Sequence, residues 1–468
     1  MTVESIDNDC FAFTFGDKRL DLRFDKILHT LSGLVACSIP QAFIKWGQTK
    51  AAYRFLNNKK VTQNKILLSQ LNNWFENKFQ QIPVSAFLAI HDTTECDYTG
   101  KRSHDNLGCM EYEDRRGLYL HNTLLCSIEG VPQIIFDQYF WNREEDTLGK
   151  GRARKHSPLE EKESYRWIES VKRVQDYFKP VRTGLNTTII NICDREGDIY
   201  ELLAMAKCDN SHYIVRSRNN RRLQDEEIKI WDCIQNEKVA GTYELEVKGK
   251  QTFEKRTATI QVKCLENIVL FPPYRKGKKR LDTVVVNMVL VEEVDAPEGV
   301  APINWKLLTS MNISSFQEAL KIITYYSYRW RIEMFHYILK QGCKVEDLQL
   351  EQEHNLKNAI TMYSIISCRM LSMMYLSRQS NEVDIKEIGF TKEQFVFLYT
   401  YLEKRYKINI SQQIKENPTV KHFTELVANL GGHMKHNGQP GIKVLWRGIK
   451  ELDMLTNCLN IIEEIRCG

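Results

Sequence analysis

The apolar runs of this chain are short, and two of the best end on a carboxylate. Ser85-Ala86-Phe87-Leu88-Ala89-Ile90 stops at His91-Asp92-Thr93-Thr94, and Thr187 to Cys193 runs into Asp194-Arg195-Glu196-Gly197-Asp198. Bounded runs of this length read as buried strands, and no stretch approaches the roughly 20 apolar residues of a membrane span. Leu118 to Ile128 and Val131 to Phe140 flank Glu129-Gly130, a hairpin signal. Ser164 to Phe178 and Ile199 to Ala206 read as helices, and His212 to Val215 as the next strand. A hairpin followed by β-α units predicts a mixed sheet covered by helices, an α/β layer architecture.

The flanks have a different texture. Leu20 to Val35 has apolar residues at Leu22, Phe24, Ile27, Leu28 and Leu31, close to helical spacing. Ser38-Ile39-Pro40 reads as a break. Gln48 to Asn58 and a segment starting at Thr62 follow as helices. Thr242 to Val247, Thr257 to Cys264 and Thr283 to Val294 are strand-like, with a basic loop, Tyr274 to Arg280, between the last two. Trp305 to Leu308 is one more strand. A long helical pattern starts at Ser314 and continues through Lys340, and roughly 345–468 is helical with a break at Gly431-Gly432. The expected division is a helical head over 1–70, an α/β core over 71–375 with a β-rich insertion at about 238–300, and a helical tail over 376–468.

Composition narrows the class. A hydrophobic share of 43% and a charged share of 27% are ordinary globular values, which excludes a disordered or collagen-like chain. A chain of 468 residues buries a full core without disulfide or metal staples. The formal charge is +5, from 65 basic against 60 acidic side chains, so a polyanionic partner is permitted and not demanded. Thirteen cysteines are scattered and never form a C-x-x-C pair, which argues against a zinc ribbon and a secreted disulfide scaffold. Met1 to Asp9 carries acids and no apolar run, unlike a signal peptide. A soluble protein of a reducing intracellular compartment is expected.

Three acids stand out by position: Asp92 and Asp194 at strand ends, and Glu333 on the long helix. Strand ends on one sheet edge converge, and a packed helix can add a third carboxylate there. Such acids repel one another and shift their pKa values unless a cation stands between them. Mg²⁺ is typically held by a few carboxylates plus substrate phosphates. Each acid also has an ordinary reading: an Asp after a strand is more often a turn or cap residue, and a helical Glu is more often solvated. Tyr326, Arg329, Glu333 and Lys340 lie at i, i+3, i+7 and i+14, and on a continuous helix fall within a sector of roughly 60°. A solvated stripe can look like this. An acid flanked by cations and a phenol is also what a phosphodiester site needs.

With those residues in hand, the chain resembles the bacterial cut-and-paste DDE transposases of insertion-sequence family four, the group of the transposase of transposon five. The resemblance rests on His91-Asp92-Thr93-Thr94, Cys193-Asp194-Arg195-Glu196-Gly197-Asp198, and the full Tyr326-x-x-Arg329-x-x-x-Glu333-x-x-x-x-x-x-Lys340 spacing. It extends in order through Gly16-Asp17-Lys18-Arg19, Ala52-Tyr53-Arg54-Phe55, Lys162-Glu163-Ser164, Val215-Arg216-Ser217, Trp305 to Ser310 and Leu430-Gly431-Gly432.

The resemblance implies an RNase H-like catalytic core flanked by an N-terminal helical DNA-binding domain and a C-terminal helical dimerisation domain. It implies that Asp92, Asp194 and Glu333 are the catalytic residues and the ligands of two Mg²⁺ ions, with Mn²⁺ able to substitute. Terminal inverted repeats would be bound, the element excised through a hairpin intermediate, and the ends joined to target DNA. Tyr326, Arg329 and Lys340 would grip phosphates around a flipped base stacked on Trp305. Arg216 matches a DNA contact, and Arg23 and Arg54 fall at DNA-contact positions of the head. Trp330 is a second-rank candidate beside Arg216. Taken alone, Trp305 reads as a core aromatic, Trp330 as a packing residue, and Arg23 and Arg54 as surface arginines. The basic loop with Lys276, Lys278, Lys279 and Arg280 reads equally as a solvated turn or a neighbour of phosphate backbone. The implied partners are double-stranded DNA and a second copy of the chain in a synaptic dimer, with no membrane, in the bacterial cytoplasm near the nucleoid. No nucleotide-binding glycine loop occurs, so no nucleotide cofactor is expected. His91, His121 and His336 show no ligand spacing and read as structural or site-edge groups. The competing readings are a catalytically silent DNA-binding repressor and an RNase H-like housekeeping nuclease.

Overall fold

The computed structural model describes residues 15–34, 37–43, 45–79, 86–101, 107–145, 148, 158–179, 187–206, 210–223, 228–247, 255–273, 281–379, 383–434, 436 and 438–467. Helices of the head begin where capping residues stand. Asp17 caps α1 (Lys18–Gly33), accepting from Arg19 N–H. Ser38 and Gln41 form a capping box on α2 (Ile39–Ala42), so Pro40 marks a helix start rather than a plain break. After α3 (Trp46–Leu56), Thr62 caps α4 (Gln63–Asn77). Residue 70 therefore falls inside α4.

Nine strands form one mixed sheet among the described residues: β1 (Ala86–Asp97), β2 (Gly117–Ser127), β3 (Pro132–Trp141), β4 (Thr188–Cys193), β5 (Ser211–Arg216), β6 (Val239–Val247), β7 (Arg256–Leu270), β8 (Val284–Val294) and β9 (Asn304–Thr309). Their order is β3-β2-β1-β4-β5-β9-β8-β7-β6. The β3-β2-β1 meander is antiparallel, and β1, β4 and β5 run parallel. The β-rich segment continues the same sheet through β9, which pairs antiparallel to both β5 and β8. Strand β7 is longer than its apolar core suggests. It is kinked between Leu265 and Ile268, where Asn267 takes a left-handed backbone and donates its N–H to Asn287 Oδ1.

Two expectations are corrected here. Strand β1 does not stop at Asp92: it continues to Asp97 against β2, with Asp92 opposite Asn122. Its parallel pairing with β4 does end at Ile90 opposite Ile192. Asp92 thus lies just past the end of one ladder and inside another. The β-branched Thr93 and Thr94 suit a half-buried strand. The segment from Ser314 to Lys340 is not one helix. Instead α8 (Phe316–Ser327) ends in a tight turn, α9 (Trp330–Tyr337) restarts, and a π-helical turn spans Ile338–Gly342.

The remaining helices cover both faces: α5 (Tyr165–Tyr177), α6 (Tyr200–Ala206), α7 (Ile230–Asn236), α10 (Glu353–Leu376), α11 (Lys392–Tyr406), α12 (Gln412–Glu416), α13 (Val420–Leu430) and α14 (Ile442–Cys467). Helix α10 packs on β3, on α9 and on α1, α3 and α4 of the head. It also corrects the reading that no stretch reaches span length. By length and composition it could cross a membrane, but its apolar window is 83% buried inside the protein, as in a core helix. One apolar core runs from Phe24 in α1 through the sheet to Leu452 in α14, and a second lies under α5, α6 and α7.

Candidate active site

Each acid is placed by a different element. Asp92 sits on β1 with its carboxylate only 16% exposed, and its Oδ1 accepts from Thr93 N–H at 2.9 Å. Asp194 follows β4 and caps a 3-10 turn over Arg195–Gly197, accepting from Glu196 N–H at 2.7 Å. The cap reading of this residue is therefore realised, and its negative charge still acts on Asp92. Glu333 lies in the first turn of α9, where its Oε1 accepts from Arg329 Nη2. The three acids share one field. Burial pushes Asp92 up to about 7, the negative charge of Asp194 adds to that, and Glu333 adds less. Arg329 and the Thr93 N–H pull it down.

As they stand, these acids do not form a closed ligand cluster. Among the described residues no group of three or more His, Cys, Asp or Glu side chains is drawn together tightly enough to hold a metal ion. Arg329 is the cation beside them: its Nη1 is 3.8 Å from Asp92 Oδ2 while Nη2 binds Glu333. The donor set itself suits a hard divalent cation, being all carboxylate oxygen. Burial raises the Asp92 carboxylate more than Arg329 lowers it.

Arg329 and Glu333 share a helix face as an i,i+4 pair, and Lys340 leaves it. At the end of α8 the turn tightens: Tyr328, Arg329 and Arg331 donate N–H to the carbonyls of Tyr325, Tyr326 and Tyr328, each three residues back. Tyr326 is buried at this turn, edge-on to Trp305 with ring centroids 5.2 Å apart. Trp305 itself is half-buried on β9. Burial raises the Tyr326 phenol while Arg329 and Arg216 pull it down, and its hydroxyl makes no well-aligned hydrogen bond. Arg216, at the end of β5, donates Nη2–H to Asn304 O at 3.1 Å. The structure thus brings Asp92, Asp194, Glu333, Arg329, Tyr326, Trp305 and Arg216 into one neighbourhood.

Lys340 stands apart from them. It lies in the π turn closed by Cys343 N–H to Ile338 O (2.8 Å). Its Nζ donates to Glu95 O at 2.9 Å and pairs with Glu346 at 3.4 Å, beyond Asp92 along β1. Trp330 is 58% exposed rather than packed. Arg54 on α3 is exposed and Arg23 on α1 half-exposed, both on the head. The basic loop at 274–280 lies outside the described residues.

The histidines divide by face. His91 and His121 sit against Ser170 of α5: His91 Nδ1 is 3.0 Å and His121 Nε2 3.2 Å from its Oγ. Burial pushes His91 down to about 4 despite its hydrogen bond to Asn191. His336 lies on the acid face, its Nδ1 3.9 Å from Asp92 Oδ2 and its Nε2 2.9 Å from Asn122 Nδ2. Asn122 and its partner Gln138 did not stand out in the sequence. The available signal was an amide in the middle of β2, a strand buried along nearly its whole length.

Comparison with known proteins gives two family matches. Residues 5–61 match the transposase DNA-binding model, and residues 175–369 match the transposase DDE domain model, together just over half of the chain. The second match contains Asp194 and the whole Tyr326–Lys340 stretch and begins after Asp92. Among solved structures, the chain is similar to a piggyBac transposase synaptic complex with hairpin DNA. The identity is 12% and the TM-score 0.36, over 86% of this chain and 75% of that one.

Proposed function

We propose that this chain, which carries a transposase DNA-binding domain and a transposase DDE domain, is a cut-and-paste DDE transposase of insertion-sequence family four. The observation that carries the reading is the convergence of Asp92, Asp194 and Glu333 from β1, the end of β4 and α9, with Asp92 held near 7 by burial and its acidic neighbours. The β3-β2-β1 meander followed by parallel β4 and β5 is read as an RNase H-like core.

In this reading Asp92, Asp194 and Glu333 hold two divalent cations, Mg²⁺ by preference and Mn²⁺ as a substitute. Bound metal supplies charge neutralisation at the phosphate and a lowered pKa for the attacking hydroxyl. Arg329 leaves Glu333 and Asp92 for a DNA phosphate, a charge-assisted contact of the kind guanidinium makes well. Tyr326 and Arg216 line the approach, Trp305 offers a stacking face for an extruded base, and Lys340 leaves Glu95 and Glu346 for the backbone. The head, with Arg23 and Arg54, reads the terminal repeats. A second copy of the chain completes the synaptic complex in the bacterial cytoplasm.

The test uses a plasmid carrying the gene's own flanking DNA, incubated with the purified protein and Mg²⁺ beside Glu333→Gln. Hairpin-ended fragments and joined products on a denaturing gel are expected from wild type, with at least a 10³-fold loss in the variant, about 4 kcal/mol of barrier. Nicks without hairpins or joining would favour a nuclease. Retarded DNA without cleavage by either protein would favour a repressor.

A further inference from the structure

Asp92 belongs to a polar row. Asp92, Asn122 and Gln138 stand opposite one another across β1, β2 and β3, and opposed residues share a face of the sheet. Ser364 of α10 lies beyond Gln138, and His336 of α9 beside Asn122. Gln138, Asn122, His336 and Ser364 are all buried, so their polar atoms find partners within the protein.

Chemistry fixes the direction of each bond in this row. Ser364 Oγ donates to Ile360 O at 2.8 Å, since a carbonyl only accepts. Towards Gln138 it must then accept, so the amide atom 2.9 Å away is Nε2. The second proton of that Nε2 goes to Asn122 at 2.8 Å, which makes the receiving atom Oδ1. Asn122 therefore presents Nδ2, a pure donor, to His336 Nε2. That nitrogen accepts, and the ring proton sits on Nδ1. Nδ1 is the atom 3.9 Å from Asp92 Oδ2. An Nε2 that accepts leaves the ring with a single N–H and no charge.

We propose that His336 is a positioning residue for the acid site: its Nδ1–H, fixed by the Ser364–Gln138–Asn122 relay, orients the Asp92 carboxylate towards a divalent cation. The proposal rests on the reading of Asp92 as a metal ligand. Arg329 competes with a cation for the carboxylate because it brings its own charge. The neutral His336 N–H does not. It takes one lone pair and leaves the rest of the carboxylate to the metal. The 3.9 Å separation is longer than a hydrogen bond, and it closes when Arg329 withdraws and the carboxylate turns.

The test measures Mn²⁺ binding to the full-length protein by the loss of the free-ion electron paramagnetic resonance signal. Wild type is compared with His336→Leu, His336→Asn and Asp92→Asn, each first shown to melt cooperatively. Outer-shell partners of metal ligands are typically worth 10- to 100-fold in affinity. His336→Leu is therefore expected to raise the half-saturating Mn²⁺ concentration by about that factor. His336→Asn keeps an N–H near Asp92 and should recover most of the loss, whereas a histidine that merely fills space would show no such rescue. Nitrogen-15 spectra of histidine-labelled wild type should show His336 as the Nδ1–H tautomer. If Asp92→Asn weakens binding and His336→Leu does not, or if the ring carries its proton on Nε2, the proposal fails and the site reading stands. If wild type and Asp92→Asn bind Mn²⁺ alike, the ligand reading fails and the proposal with it. Should His336→Leu not fold, His336→Asn and the tautomer decide.

Discussion

Asp92 is expensive to ionise in the metal-free protein, and that has a measurable consequence at the scale of this residue. Burial and the Asp194 charge raise it from an ordinary 3.8 to about 7. Between those values the folded chain keeps a proton that the unfolded chain has released. Stability therefore falls as pH rises from about 4 to about 7 and is level above that. The ceiling of the effect is about 4 kcal/mol at 1.36 kcal/mol per pKa unit. In chelator at pH 8, Asp92→Asn is expected to melt above wild type, and the difference should vanish near pH 4. Thermal denaturation at the two pH values checks this. A variant less stable than wild type at pH 8 would show that the carboxylate is already neutralised, by Arg329 alone.

At the scale of elements, the break between α8 and α9 decides where Arg329 points. Nothing between Tyr325 and Lys340 signals it, since the stretch holds neither Gly nor Pro. The cause is tertiary. Gly130 closes the β2–β3 turn with φ +77°, and a Cβ there would stand 2.7 Å from the Tyr328 ring. Arg331 donates Nε–H to Gly130 O at 3.1 Å and lies 3.7 Å over the Tyr375 ring of α10. Gly130→Ala is expected to cost about 2–3 kcal/mol, from the left-handed backbone and the overpacked ring. Because Tyr328 adjoins Arg329, cleavage should fall at least 10-fold at temperatures where the variant is fully folded, with DNA retardation unchanged. Melting curves and a cleavage assay on the same sample separate the two effects. The same reasoning says what the sequence could and could not tell. The hairpin, the apolar runs of β1 and β4 and the acids that end those runs were legible, because local periodicity and turn chemistry report them. The overrun of β1 past Asp92 was not, because its pairing with Gly117–Asn122 of β2 is a non-local fact. Lys340 left the stripe because a π turn over Ile338–Gly342 interrupts the helix before it, and no Gly or Pro between Tyr325 and Lys340 announces that turn. The row from Gln138 to His336 depends on cross-strand register, which one strand's sequence does not carry.

At the scale of the whole molecule, one apolar core runs through head, sheet and tail. Phe24, Ile27 and Leu31 of α1 and Phe55 and Leu56 of α3 belong to the same cluster as Ala359, Met362 and Tyr363 of α10. Asn358 of α10 ties the join by donating both amide protons to the head, to Leu56 O at 3.1 Å and Val61 O at 2.9 Å. Helix α10 also packs on α9, which carries Glu333 and His336. One helix therefore touches both the head and the helix that carries two of the site residues. A head cut from the chain after α4 would expose the apolar face that α10 covers. At that size a domain buries only about 60% of its unfolded surface and is marginal even when complete. Residues 1–79 alone are therefore expected to show weak helical circular dichroism without a cooperative melt, and to retard DNA poorly. The full chain should unfold in one calorimetric transition spanning head and core. A head fragment that melts cooperatively, or a full chain with two well-separated transitions, would show that α10 is a contact surface between independent units.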